Sequence, residues 1–390
     1  MTRVTVHEYA AALRPRYRAA KKGEKAKILD EFCSATGMHR KAVLRLLNQE
    51  VGRLKPVQRG RPRKYGPVLL GPLRQIWEAG DHMCGKLLHA ALPDLVGSLE
   101  RHGELDLTDD MRVLLLEMSA ATIDRLLKKQ AVRLSNLRPV ARKAAQPSLK
   151  SEVPVKTWSE WKEARPGAMQ ADLVLLCGES LEGFYLTSLT VVDIASGWIE
   201  MQPVWGKGME RVGGALHQVR QRLPFGLKAL HTDNGGEFIN ELLVPWCRKE
   251  GISLSRGRPY KKNDQAYVEQ RNWHSVRRHV GYQRYSSHAA YDLLLKLYPL
   301  LCLQMNFFRP VRKLVSKERQ GAKVIKRYDD PATPYQRMMT AGSLSDEAKA
   351  KAAIQLEKLN PAELKRQIED LLRKLWAQAD GQKGSIASVG

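Results

Sequence analysis

The sequence predicts a multidomain fold. It has α-helical modules at the N-terminus, an α/β core built on a mixed five-stranded sheet flanked by helices, then a small β-barrel and a helical tail. Three observations predict it. Apolar residues recur at helical spacing through about residue 135. Short β-rich runs alternate with amphipathic stretches over 167–308, and a basic, β-prone stretch over 309–340 precedes two further helical stretches. At roughly 100–200 residues per domain, 390 residues suggest two to four domains, and a 43% hydrophobic content supplies real cores.

Charge narrows the partner. Lys and Arg number 65 against 41 Asp and Glu, a formal net charge of +24. So large a positive charge calls for a polyanion, either nucleic acid or an anionic membrane. No apolar run reaches about 18 residues, so no transmembrane helix is expected. The N-terminus lacks the apolar segment and cleavage site of a secretory signal. Nucleic acid is therefore the expected partner (double-stranded DNA, once the helix-turn-helix patterns below are added) and the cytoplasm the expected location, with no membrane. The five cysteines (Cys33, Cys84, Cys177, Cys247 and Cys302) are odd in number and widely spaced, with no zinc or redox motif. They read as reduced, mostly buried thiols.

Residues 1–55 read as a helix-turn-helix unit. Ile28, Leu29, Phe32 and Cys33 fall at helical spacing and Thr36-Gly37-Met38 makes a turn. Val43, Leu46 and Leu47 then line one face of a second helix, with Arg40, Lys41 and Arg45 elsewhere on it. A short basic helix after a Gly-containing turn suits a DNA groove, although a plain helical hairpin with a solvated basic face has the same pattern. In residues 56–66 (PVQRGRPRKYG) the prolines bar helix. Arg59, Arg61, Arg63 and Lys64 then flank a Gly and a Pro in extended chain that resembles an AT-hook, or equally a charged linker. Residues 67–135 suggest a second helix-turn-helix-like unit. Leu87, Leu88, Ala91, Leu92 and Leu95 form one face, and Leu107–Met118 supplies a further helix. Ser119 caps a last helix that buries Ile123, Leu126 and Leu127 and carries Arg125 and Lys128. Residues 136–166 serve as a linker.

From 167 the pattern changes. Strands are expected at Met169–Cys177, Phe184–Ile194 and Gly197–Trp205, the last two joined by a tight turn. A helix (Gly208–Leu223), a short buried strand (Leu227–Thr232), a helix (Phe238–Lys249) and a strand (Ile252–Ser255) follow. Two long helices close the core, Asn263–Val280 and Ser286–Phe308, the second interrupted by Pro299. The order β-β-β-α-β-α-β-α-α is that of a ribonuclease-H-like fold. Residues 309–340 read as the small basic β-barrel or a hairpin. The tail, 341–390, carries the stripe Leu364, Ile368, Leu371, Leu372 and Leu375 after a cap at Asn360-Pro361, packed on its own domain or on another protomer.

Three carboxylates fall at telling places. Asp172 interrupts an otherwise apolar strand, where an unpaired buried acid would cost several kcal/mol. Asp233 ends a short buried strand within His231-Thr232-Asp233-Asn234-Gly235-Gly236-Glu237-Phe238, and Glu269 lies within a helix in Asn263-Asp264-Gln265-Ala266-Tyr267-Val268-Glu269-Gln270-Arg271-Asn272. Between Asp172 and Asp233 lie 60 residues, and between Asp233 and Glu269 lie 35. Spacing, local words and strand/strand/helix placement together resemble the catalytic triad of the DDE transposase and retroviral integrase superfamily, over about 167–308.

That resemblance implies a DNA transposase that binds terminal inverted repeats, cleaves the element's ends and transfers them into target DNA. It implies two Mg²⁺ (or Mn²⁺) ions per active site, with Asp172 bridging both and Asp233 and Glu269 each holding one. It also implies a homo-oligomer, at least a dimer, because two ends are processed together. The donor chemistry agrees, since oxygen-rich acids without neighbouring thiolates suit hard cations that serve phosphodiester displacement. The His/Cys zinc module of retroviral integrases is absent, so the N-terminal arrangement is more like that of bacterial insertion-sequence transposases. No phosphate-binding GxxxxGK[ST] loop occurs, so any ATPase helper must be a separate protein.

Neighbouring residues have plainer readings. Asp193 suits a turn, Glu237 and Asp264 suit helix caps, and His231 suits a packed strand. Basic residues crowd the Glu269 segment, among them Lys261, Lys262, Arg271, Arg277 and Arg278, with Tyr260, Tyr267 and Trp273 interleaved. They suit DNA held over a metal site, or a solvated charged helix. Two other functions stay open at this level. A catalytically silent DNA-binding regulator would bind without metal-dependent product, and a ribonuclease-H-type nuclease would cut RNA–DNA hybrids without preferring a specific duplex.

Overall fold

The computed structural model describes residues 2–48, 64–128, 153–156, 165–258, 265–342 and 344–380. The chain divides into two compact units, Met1–Lys64 and Tyr65–Gly390.

The first unit holds three helices, α1 (Arg3–Ala19), α2 (Lys22–Thr36) and α3 (Arg40–Asn48). Gly37, at φ 69°, ends α2 in the left-handed conformation that favours glycine and redirects the chain into α3. Val43, Leu46 and Leu47 of α3 close on Ile28, Leu29 and Phe32 of α2 and on Ala10 and Tyr17 of α1. Arg14 Nε donates to the Leu46 carbonyl at 3.2 Å, satisfying one of the terminal acceptors of α3.

The second unit begins with α4 (Leu70–Ala79), α5 (Gly85–Arg101), α6 (Asp109–Leu116) and α7 (Ala120–Leu127). Thr108 and Ser119 cap α6 and α7 through their hydroxyls. The core of these helices does not end with them. Leu73, Ile76, Leu88, Leu92 and Leu95 share one buried cluster with Phe307, Phe308, Met338, Leu344 and Leu364 from much later in the chain.

The α/β core follows as β1 (Ala168–Leu175), β2 (Thr187–Asp193), β3 (Ile199–Val204), α8 (Met209–Arg222), β4 (Ala229–Thr232), α9 (Leu243–Lys249) and β5 (Ser253–Arg256). α9 starts later than its sequence pattern suggests, because Asn240 Oδ1 accepts from the Leu242 and Leu243 N–H groups at 2.9 and 2.8 Å. The five strands lie in the order β3-β2-β1-β4-β5, with β1-β2 and β2-β3 antiparallel and β1-β4 and β4-β5 parallel. This mixed sheet flanked by helices is the ribonuclease-H-like arrangement expected from the sequence. Met169, Ala171 and Leu173 of β1 pack with α8 residues Val212, Leu216 and Val219 on one face. Val174, Val192, Ile199 and Met201 pack with later helices on the other.

Those later helices are α10 (Ala266–Asn272), which continues through a π-helical turn at Trp273–Arg277 into α11 (Arg278–Val280), and α12 (His288–Leu303), which ends in a second π turn at Gln304–Phe308. Pro299 lies inside α12. β6 (Leu314–Gln320) and β7 (Lys323–Tyr328) form a two-stranded antiparallel ribbon. Of the barrel or hairpin expected over 309–340, the structure shows the hairpin. The chain turns into α13 (Pro334–Thr340) before any third strand forms, with the Thr333–Gln336 capping box starting the helix. In the tail, α14 (Asp346–Lys358) precedes α15 (Pro361–Trp376), whose Leu364, Ile368, Leu372 and Leu375 are buried against the core of their own chain.

One buried acid ties these parts together. Asp81, in the α4–α5 turn, is 5% exposed and sits at φ 56°, beside His82 at φ 53°. Its carboxylate meets Lys365 Nζ at 2.9 Å, Arg309 Nη1 at 3.0 Å, and Arg278 Nη2 and His279 Nε2 at 3.4 Å.

Candidate active site

β1 runs between β2 and β4. The β1–β4 ladder pairs Ala168, Met169 and Gln170 with Ala229, Leu230 and His231. Carried two residues further, the same register sets Asp172 beside Asp233, which follows the last residue of β4. Side chains alternate along a strand, so Gln170 and Asp172 share the face opposite Met169 and Ala171. α10 lies on that face. Gln170 Oε1 accepts from the Val268 N–H at 3.2 Å, and Asn272 Nδ2 donates to Asp172 Oδ2 at 2.7 Å. Glu269 stands one turn before Asn272 with an exposed side chain, and residues three apart on a helix are neighbours. Asp172 thus stands within β1, Asp233 directly after β4, and α10, which carries Glu269, is tied to β1 through Gln170 and Asp172.

The Asp233 loop is built to hold its carboxylate. Gly235 N–H donates to Asp233 Oδ1 at 2.9 Å. A Cβ at Gly235 would stand 2.6 Å from Glu237 Cδ and 2.9 Å from Asp233 Oδ1, so glycine leaves room for both acids. Asn234 donates to the Gly257 carbonyl at 2.9 Å and accepts from Arg256 Nη1 at 3.0 Å, while Arg256 Nε donates to the Val153 carbonyl at 2.9 Å.

Among the described residues, no three His, Cys, Asp or Glu side chains converge as a ready-made metal cluster. The donor chemistry nonetheless fits a hard divalent cation. Thr190, directly across the β1–β2 ladder from Asp172, and Asn272 each bury an oxygen (Oγ1 and Oδ1) that has no hydrogen-bond partner among the described residues. Two orphaned oxygens beside a carboxylate, at about 1–3 kcal/mol each, are what a hydrated, oxygen-seeking ion would satisfy.

The neighbouring groups take structural places. Asp193 is fully buried and accepts from the Gly167 N–H at 2.8 Å, the Ser196 N–H at 2.7 Å and the Ser196 hydroxyl at 2.6 Å. Burial raises its pKa, against those hydrogen bonds. His231 is buried in β4, with Nδ1 3.0 Å from Ser255 Oγ on β5. Glu237 is half-buried in the turn before α9, and Asp264 lies outside the described residues. Burial pushes the Cys247 thiol up to about 12, leaving it inert as a nucleophile.

The expected DNA contacts separate into three groups. Arg40, Lys41 and Arg45 are exposed on α3, with Arg40 paired to Asp30, and Arg125 and Lys128 are exposed at the end of α7. Lys64 is also exposed, whereas Arg59, Arg61, Arg63, Lys261 and Lys262 lie outside the described residues. Arg271 is buried, and Arg277 and Arg278 are half-buried, each with hydrogen-bond partners within the chain. Arg271 is 8% exposed and donates to the Gly197 carbonyl at 2.9 Å. Its burial, with the Arg309 and Arg337 charges, pushes it down to about 9. Arg277 donates to the Leu175 carbonyl at 2.8 Å and lies over the Tyr282 ring, and Arg278 is spent on Asp81. Sequence reasoning missed Gln170 and Asn272, although the three-residue step from Glu269 to Asn272 was a usable signal.

Strand order and helix placement give this unit the mixed five-stranded sheet flanked by helices of a ribonuclease-H-like core, with Asp172 within β1, Asp233 after β4 and Glu269 on α10. No protein-family model matches the chain. The chain belongs to the family of the uncharacterized protein y4rM of Sinorhizobium fredii (strain NBRC 101917 / NGR234), with which it shares 40% identity over 331 residues, 85% of this chain and 94% of that protein. Among solved structures, the catalytic core domain of BIV integrase is similar at a TM-score of 0.29 and 22% identity, covering 44% of this chain and 92% of that one. No described helix is long and apolar enough to cross a membrane.

Proposed function

We propose that the protein is a DNA transposase of the DDE type, which binds the terminal inverted repeats of its element, cleaves the ends and transfers them into target DNA. The observation that carries this reading is the Asn272–Asp172 hydrogen bond, which ties the Glu269 helix to β1. The β1–β4 register, carried two residues past its last pair, supports Asp233 as the neighbouring acid. In this reading Asp172, Asp233 and Glu269 hold two Mg²⁺ or Mn²⁺ ions. Bound there, the ions supply Lewis acidity and charge neutralisation for phosphodiester hydrolysis and transesterification. Asn272 fixes the Asp172 carboxylate, and the Gly235 N–H fixes that of Asp233. Arg40, Lys41 and Arg45 of α3, with Arg125 and Lys128 of α7, contact duplex phosphates or bases. At least two copies act together in the cytoplasm, and any ATPase helper is a separate protein.

The test uses duplexes made from the DNA flanking the protein's own coding region. Asp172→Asn, Asp233→Asn and Glu269→Gln should each lower metal-dependent strand transfer by at least about 10³-fold while leaving end binding unchanged. Full activity in one variant would remove that residue from the triad. Binding by the wild-type protein without any metal-dependent product would favour a silent DNA-binding regulator.

A further inference from the structure

The three acids leave Trp273 without a role. It follows Asn272, begins the π turn, and keeps half of its side chain in water, at 50% exposure. π turns recur at functional sites in helices. At about 100° per residue, Glu269 lies between its neighbours around the helix, about 60° from Asn272 and about 40° from Trp273. Asn272 is pinned to Asp172. Trp273 therefore falls on the outer side of Glu269, at the rim of the candidate site. Its indole is held in place, because the His274 ring meets it edge-on at 4.9 Å and 88°. The helix that carries it is tied to β1 at Val268 and at Asn272.

An open indole face beside a phosphodiester-cleaving site suits one chemical class. Every nucleobase has a π face, and stacking on an aromatic side chain is sequence-tolerant. A base still stacked within a duplex offers no such face, so the base must leave the stack. We propose that Trp273 stacks on a nucleobase unstacked from the end DNA next to the scissile phosphate, and so holds that strand over Asp172, Asp233 and Glu269. The inference rests on the transposase reading and names the DNA conformation that the site selects.

The test is a coupling measurement on the full-length protein. Single-turnover, metal-dependent cleavage is followed on flanking-DNA duplexes in which one nucleotide at a time near the cleavage point is made abasic. Trp273→Ala should cleave the intact duplex about 10-fold more slowly, whereas Trp273→Phe stays within about threefold, in line with alanine substitutions at other base-stacking residues. At one position, the abasic duplex should slow the wild-type protein to the rate of Trp273→Ala and slow that variant no further. Thermal unfolding of Trp273→Ala close to that of wild type confirms that the fold is kept, and Trp273→Phe carries the test if it is not. Wild-type rates in Trp273→Ala, or additive losses at every abasic position, would overturn the stacking. Absence of metal-dependent cleavage by the wild-type protein on any flanking duplex would instead overturn the transposase reading and the stacking with it.

Discussion

Asn272 and Asp81 show how single residues shape the site. The Asn272 amide is the observed link between the catalytic-helix candidate and the β1 carboxylate. A hydrogen bond to a charged group is worth about 1.5–3 kcal/mol, so Asn272→Ala should slow single-turnover cleavage by about 10–100-fold with end binding intact. Asp81 acts at a distance. Burial alone would raise its pKa, but the hydrogen bond and charge of His279, with the charges of Lys365 and Arg278, hold it well below the usual carboxylate range. A folded-state pKa below the unfolded value adds stability that is present above about pH 4 and lost as the pH falls through the folded value. Asp81→Asn should cost about 3–5 kcal/mol near neutral pH, because buried Arg309 and half-buried Arg278 then lose this counter-charge, while Lys365 keeps its pair with Glu369. It should also flatten the acid limb of stability, as measured by urea unfolding from pH 7 down to pH 3.

Among the elements, the β6–β7 ribbon carries the clearest unbalanced charge. Lys317 faces Lys326 directly across the ladder, and both strands are mostly exposed. Like charges in that position destabilise a hairpin that is already marginal with two strands. A ribbon of these dimensions fits the major groove of a duplex. The double substitution Lys317→Ala, Lys326→Ala should lower the salt dependence of DNA binding by about two in log–log slope, read by titrating salt, while cleavage of saturated DNA stays unchanged. This element also shows what was legible beforehand. Its basic, β-prone composition located a barrel or hairpin, but nothing local separates the two, because closure depends on strands elsewhere. The core strands were readable to within a few residues because their apolar runs end at turn residues; the acids stood out because Asp172 interrupts such a run, Asp233 ends one and Glu269 follows Asp233 after 35 residues. The fate of Arg271 and Arg278 was not. Both lie near or within the π turn, which shifts helical phase, and their partners are the Gly197 carbonyl and the Asp81 carboxylate, far away in sequence.

Within the second unit, the early helices and the late ones are fastened to each other. Ser98 Oγ of α5 donates to the Leu359 carbonyl at 2.8 Å, and Gln304 Nε2 donates to the Ala79 carbonyl at 3.3 Å. The helices over 70–127 share buried residues with those over 334–376, although their apolar periodicity alone suggested a free-standing module. A chain truncated after residue 344 should therefore lose cooperative unfolding of the whole unit, including the part that carries Asp172, as read by calorimetry. The same fastening governs synthesis. Since translation runs from the N-terminus, α4 and α5 emerge more than 200 residues before α15, and contacts so distant in sequence form late. A polypeptide that has emerged only as far as α12 thus carries all three acids without α15, whose Ile368, Leu372 and Leu375 complete the buried cluster shared by the sheet and α12. The packing behind α12 is therefore completed only after residues 361–376 have been made, so the sheet and its acids take their final support last.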